Sequence, residues 1–194
     1  MPTSLQANRP PTATDPAGRS TELAHLYFVR TLFALVWAGL LTLTASPLTV
    51  ATGAVLVIYP LFDAVAAVID ARSSRTPAAR TPLFANLAFS LVAAVAVAVA
   101  ATSGIPAVLR VWGIWAIAAG LVQLVVALRR RQLGGQWPMI LSGGLSAVAG
   151  SAFILQASGS GASLSSLAGY ATLGAVFFLV SAIRLTRRTI TVDA

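Results

Sequence analysis

Four polar side chains interrupt long apolar runs in this chain, and their spacing puts them at one depth: Arg30, Asp63, Asn86 and Gln123. Asp63 lies six residues before the end of its run at Ile69, about 9 Å along a helix. Arg30 lies four residues inside the preceding run, about 6 Å from the same side. Because helices joined by a short turn run antiparallel, this carboxylate and guanidinium can meet as an ion pair. Asn86, three residues inside the third run, and Gln123, five residues from the end of the fourth, fall at roughly 5 to 8 Å. Two uses fit such a layer. One is a hydrated vestibule in which Asp63 senses a proton or cation, since ionisable groups inside apolar spans mark ion pathways. The other is structural: Arg30 reaches toward polar head groups, Asp63 pairs with it to limit desolvation, and the amides bond between helices.

Other chemistry has few residues to work with. Cysteine is absent, which removes disulfides, thiol nucleophiles and zinc–thiolate sites. His25 is the sole histidine and stands near Glu22 at the start of the first run, as a boundary residue. Of five acidic residues, Asp15 and Asp193 lie in the tails, and Asp63, Asp70 and Glu22 are not expected to converge. Neither a carboxylate pair nor a metal ligand set follows. Gly159, Gly161 and Gly169 lack the spacing and the preceding strand of a phosphate-binding loop. The expectation is a chain that is not an enzyme, with no catalytic, cofactor-binding or metal residues.

The elements that position the polar layer are legible from hydropathy. Of the 194 residues, 57% are hydrophobic and only 9% charged, far from the balance of soluble domains. Six spans are predicted: Leu26 to Thr44, Leu48 to Ile69, Leu83 to Thr102, Ile105 to Leu128, Pro138 to Ala157 and Ser163 to Ile183. Each is near the length needed to cross about 30 Å of hydrocarbon, and in lipid only a helix satisfies every amide within one segment. The fold class is therefore all-α, a polytopic six-helix membrane domain over residues 22–188. Residues 1–21 are expected to form a disordered tail and 189–194 a short one. Pro47 and Pro106 stand at helix starts, while Pro60 falls inside the second span and predicts a kink.

Charge sets the orientation. Arg72, Arg75, Arg80, Arg129, Arg130, Arg131, Arg184, Arg187 and Arg188 occupy alternate gaps, and the other gaps carry no charge. By the positive-inside bias both termini and the arginine loops face the cytoplasm. Arg110 stands near the opposite end and is expected to reach outward. The net charge of +8 comes from clusters beside spans, so the expected partner is a bilayer with anionic head groups rather than nucleic acid. All thirteen basic residues are arginine, and with abundant alanine this fits a GC-rich bacterial genome and an inner-membrane location.

The chain also repeats. Residues Asp63 to Arg72 overlay Gly120 to Arg129 without a gap, and Ser181 to Arg184 overlay Val126 to Arg129. Three hairpins follow, each returning the chain to its starting side, so the copies are parallel. In the fifth span Ser142, Ser146 and Gly150, beside Gly143, Ala147 and Ser151, form two small-residue ridges. They suit close packing within the chain or between copies in a homo-oligomer. Trp112, Trp115 and Trp137 are expected as interfacial or packing aromatics.

The run from Gly113 to Arg131, a Gly-containing even helix ending in arginines, followed by Trp137-Pro-Met-Ile-Leu-Ser-Gly-Gly-Leu-Ser-Ala-Val-Ala-Gly150, resembles the HdeD-like acid-resistance membrane proteins. In architecture the resemblance extends over roughly Leu26 to Arg188. It implies a small bacterial inner-membrane protein of six helices tied to stress or acid tolerance, without an established biochemical activity. Pro60 and Asp63 depart from the pattern of the first hairpin. From the residues and the resemblance together, the expected function is a non-enzymatic accessory membrane component. The alternative is a small transporter or channel using the layer around Asp63.

Overall fold

The computed structural model describes residues 16–74 and 76–192. Its regular structure is helical: α1 (Pro16–Thr44), α2 (Val50–Ser73), α3 (Pro77–Ala101), α4 (Ile105–Arg129), α5 (Trp137–Gln156) and α6 (Ser165–Val192), with a single 3-10 turn at Arg131–Leu133. Each helix contains a segment of 20 to 25 residues with mean hydropathy between 1.6 and 2.3, long and apolar enough to cross a membrane. Side chains such as Leu32, Leu43, Val92, Val95, Val148 and Leu155 stay exposed on the outside of the bundle. Lipid tails suit such a surface; water does not.

The helices outrun the apolar spans, because hydropathy marks what can enter lipid whereas caps and propensity mark what can coil. α3 begins six residues before Leu83, where Thr76 accepts a hydrogen bond from the Ala79 N–H at 3.3 Å and Pro77 takes the first helical position. α1 starts at Pro16, so residues 16–21 belong to a helix and not to the predicted tail. α6 likewise continues to Val192, beyond the predicted boundary at residue 189. The rest of the expected N-terminal tail, residues 1–15, lies outside the described residues, as do Arg75 and residues 193–194. α2 runs unbroken through the buried Pro60. At its start Thr49 and Thr52 cap each other's N–H groups, and the Thr52 hydroxyl also donates to the Thr44 carbonyl at 2.6 Å, tying α1 to α2.

The six helices contact one another in a ring in which the closest packing is α4 on α5, α1 on α6 and α2 on α3. Glycine explains the tightest pair. A Cβ at Gly113 would stand 2.5 Å from the Gly150 carbonyl oxygen, and one at Gly143 would stand 2.7 Å from that of Gly120. Only hydrogen at these four positions lets the backbones approach so closely. The α5 ridges pack within the chain here: Ser142, Gly143, Ser146 and Gly150 are buried, Ala147 is half-buried, and Ser151 alone is exposed. Ser146 also accepts a hydrogen bond from the Tyr170 hydroxyl at 3.0 Å.

The interior is layered. One end, where the connections between α2 and α3 and between α4 and α5 lie, is the arginine end. The opposite, far end is filled by Trp37, Leu41, Leu56, Val108, Leu109, Trp112 and Leu167. There Trp37 and Trp112 stack with ring centroids 5.3 Å apart, and Trp115 meets Trp112 edge-on at 5.4 Å. Toward the arginine end a second cluster gathers Leu23, Tyr27, Met139, Phe178 and Leu185. The polar layer lies between them.

Candidate functional site

Asp63 is 5% exposed, and its carboxylate is held from two neighbouring helices. Arg30 of α1 forms an ion pair with Oδ1. From α3, Asn86 donates its amide to Oδ2 at 2.6 Å and Ser90 donates its hydroxyl to the same oxygen at 2.8 Å. Trp115 of α4 then donates its indole N–H to the Ser90 oxygen at 3.1 Å, which fixes the hydroxyl proton toward Asp63. A buried carboxylate is costly unless paired and hydrogen-bonded, and this one is both. The Arg30 guanidinium also lies 4.8 Å from the centre of the Phe178 ring on α6. Five helices thus converge on one charge pair.

Two turns further along α2, Asp70 makes a second pair. Arg130, just past the end of α4, grips it with two hydrogen bonds, Nη1 to Oδ2 at 2.8 Å and Nη2 to Oδ1 at 2.7 Å. Nη2 also donates to the Ser74 hydroxyl at 2.9 Å, and that hydroxyl donates back to the Asp70 carbonyl at 3.0 Å. Burial opposes the Arg130 charge, but the hydrogen bonds and the charge of Asp70 outweigh it and raise its pKa above the ordinary arginine value. The same corner is closed by Arg80, which donates Nε to the Ser74 carbonyl at 2.6 Å, and by Arg129, which donates to the Ala78 carbonyl at 2.6 Å.

Asp63 and Asp70 were not expected to converge, yet both line one cavity of about 70 Å³ together with Tyr27, Arg30, Asn86 and Gln123. Seven residues are close to two full turns, so the two carboxylates share a face of α2. Glu22 is exposed and does not line this cavity. Gln123 reaches the cavity wall, but its amide N–H donates to the Met139 carbonyl of α5 at 3.1 Å rather than to the carboxylate. The cavity has room for a few water molecules with polar partners on several sides. Val126 lines both this cavity and a pocket of about 240 Å³ at the arginine end, which Arg129, Arg130 and Gln132 also line. Among the described residues no three His, Asp or Glu side chains come together as a metal site.

Ser90, Trp115 and the Asp70–Arg130 pair escape a reading by depth alone. Ser90 was findable, since it follows Asn86 by one helical turn on α3. Arg130 was hidden inside a run of three arginines whose common reading is orientation. Of the tryptophans, Trp112 is fully buried in the far-end cluster, Trp115 serves the polar network, and Trp137 is 74% exposed. The Trp112 indole N–H is a buried donor with no partner among the described residues. Arg110 is exposed near the start of α4.

No protein family, curated protein or solved structure matches the chain.

Proposed function

We propose that the chain is a non-enzymatic integral protein of the bacterial inner membrane, an accessory component serving stress or acid tolerance. The observation that carries this reading is the saturation of Asp63: Arg30, Asn86 and Ser90 occupy both carboxylate oxygens, and no exchangeable partner is needed to keep the charge buried. A site built to pass ions keeps ligands that can change partners. Here the polar set joins helices, and the aromatic cluster fills the interior beyond it. The tie to stress or acid tolerance draws on the resemblance of Gly113 to Gly150 to the HdeD-like proteins.

Orientation follows the arginines. Nine flank the spans in alternate gaps, with none in the far-end turns, which supports cytoplasmic termini. The gapless overlays of the segments ending at Arg72, Arg129 and Arg184 support three parallel hairpins about an axis along the membrane normal. Reporter fusions after Ala79 and after Gln132 should both behave as cytoplasmic. A periplasmic signal at either ends the six-span topology.

A second reading, a small transporter or channel, is favoured by the water-sized cavity that two carboxylates share beside the open pocket at Val126. Liposomes containing the purified protein separate the two. The accessory reading expects proton flux equal to that of empty liposomes, and loss of acid survival in a deletion strain that Asp63→Asn still complements. Proton flux abolished by Asp63→Asn in correctly inserted protein would replace it with the transport reading.

A further inference from the structure

At the arginine end, away from the Asp63 layer, a pocket of about 430 Å³ opens between the start of α5 and the end of α6. Arg131, Arg184 and Arg187 line it together with Gly134, Gln136 and Trp137, and none of the described lining residues is a carboxylate. We propose that this pocket binds the phosphate head group of an anionic phospholipid. The proposal rests on the reading of the chain as membrane-spanning, and is independent of its accessory or transport role.

The pocket is built rather than incidental. Gly135, at φ 64°, packs so closely on α6 that a Cβ there would come within 3.1 Å of the Leu185 side chain and 3.4 Å of the Arg184 Cβ. The Gly135 carbonyl accepts the Ser181 hydroxyl at 2.8 Å. Gln136, only 1% exposed, donates its amide to the Gly134 carbonyl at 3.3 Å. These contacts pin the turn carrying Arg131 against the turn of α6 carrying Arg184. Neither arginine belongs to the two ion pairs found among the described residues, and both are exposed. Arg131 and Arg184 thus present exposed guanidinium donors to one pocket, and phosphate oxygens accept guanidinium hydrogen bonds in pairs. The start of α5 adds the positive end of a helix dipole to the same space.

A lipid fits better than a soluble anion because the pocket opens onto apolar surface. Trp137 stands at its rim 74% exposed, the placement of an interfacial indole. One turn further, Leu141 is 55% exposed, and Ile183 beside Arg184 is 36% exposed. α5 and α6 also touch less closely than the other adjacent pairs in the ring. A head group in the pocket can therefore run its acyl chains down the α5–α6 seam.

The test is native mass spectrometry of the full chain in detergent, titrated with phosphatidylglycerol or phosphatidylcholine. The protein should retain phosphatidylglycerol with a preference of about tenfold, in line with the contribution of basic side chains to anionic lipid binding. R131Q/R184Q should abolish the preference, R131K/R184K should keep most of it, and R72Q/R110Q, with the same loss of charge elsewhere, should leave it intact. Thermal unfolding of each variant shows whether the bundle persists. Equal retention of the two lipids, equal behaviour of R131Q/R184Q and R72Q/R110Q, or displacement of the lipid by excess glycerol phosphate would overturn the proposal, the last by assigning the pocket to soluble phosphate.

Discussion

Asp63 and Asp70 face the same side of α2, and each has an arginine, but the two pairs are held in different ways. The deeper one lies between the two apolar clusters, and its carboxylate collects an arginine from α1 and two neutral donors from α3, with α4 acting through Trp115. The shallower carboxylate, at the end of the helix, is gripped by both guanidinium nitrogens of Arg130, while the Ser74 hydroxyl accepts from the same guanidinium and donates to the Asp70 main-chain carbonyl. The reach of the guanidinium accounts for the contrast, since Arg30 meets only Oδ1 of Asp63 whereas Arg130 spans both oxygens of Asp70. Far from water every lone pair needs a protein donor, and a single guanidinium cannot supply donors on all sides. The two pairs are similarly buried, and at Asp70 the bidentate fork by itself brings a donor to each carboxylate oxygen. The deep pair orders helices relative to one another; the shallow pair staples the end of α2 to the end of α4.

The largest effect should come from Asp63→Ala, which strands the Arg30 charge and two donors. Thermal unfolding in detergent should show a loss of about 3 to 5 kcal/mol, and adding Arg30→Leu should recover much of it, since replacing both partners of a buried pair can be nearly neutral. Strictly additive losses would mean that the two groups are not coupled. Asp70→Ala should cost less, about 1.5 to 3 kcal/mol, the range for hydrogen bonds to charged groups, because the Ser74 hydroxyl remains as an acceptor for Arg130. A loss as large as that of Asp63→Ala would erase the contrast between the two pairs.

Serine substitutions sharpen the same comparison at smaller scale. Ser90→Ala removes a donor to Asp63 and leaves the Trp115 indole N–H without its acceptor, so a loss of about 1 to 3 kcal/mol is expected. Ser74→Ala at the shallow pair should cost only about 0.5 to 1.5 kcal/mol. Hydrogen exchange at the start of α3 should rise in the second variant and stay unchanged in the first. Reversed costs would place the weight of the polar network at the arginine end.

Part of this site was readable from counting alone. Arg30, Asp63 and Asn86 share a depth because rise per residue is constant in a helix, and antiparallel neighbours turn equal counts into equal heights. Gln123 shows where counting stops: its depth matches, but rotation about α4 points its amide at the Met139 carbonyl. Asp70 and Arg130 are sixty residues apart and sit at helix ends, where a charge is ordinary and gives no sign of its partner. The ridges on α5 were visible as small residues, but their use was not. Only the facing glycines of α4 decide that Gly143 and Gly150 are spent within the chain.

By itself the sequence determines that this protein is built of six apolar helices, because apolar composition over 20 or more residues leaves the backbone no other way to satisfy its amides in lipid. It also determines which polar groups must find partners inside. Tertiary structure decides who those partners are, which helices pack most closely, and how far the helices extend past their apolar segments. Those outcomes depend on rotation about each helix axis and on contacts between residues distant in the chain, and a one-dimensional pattern specifies neither.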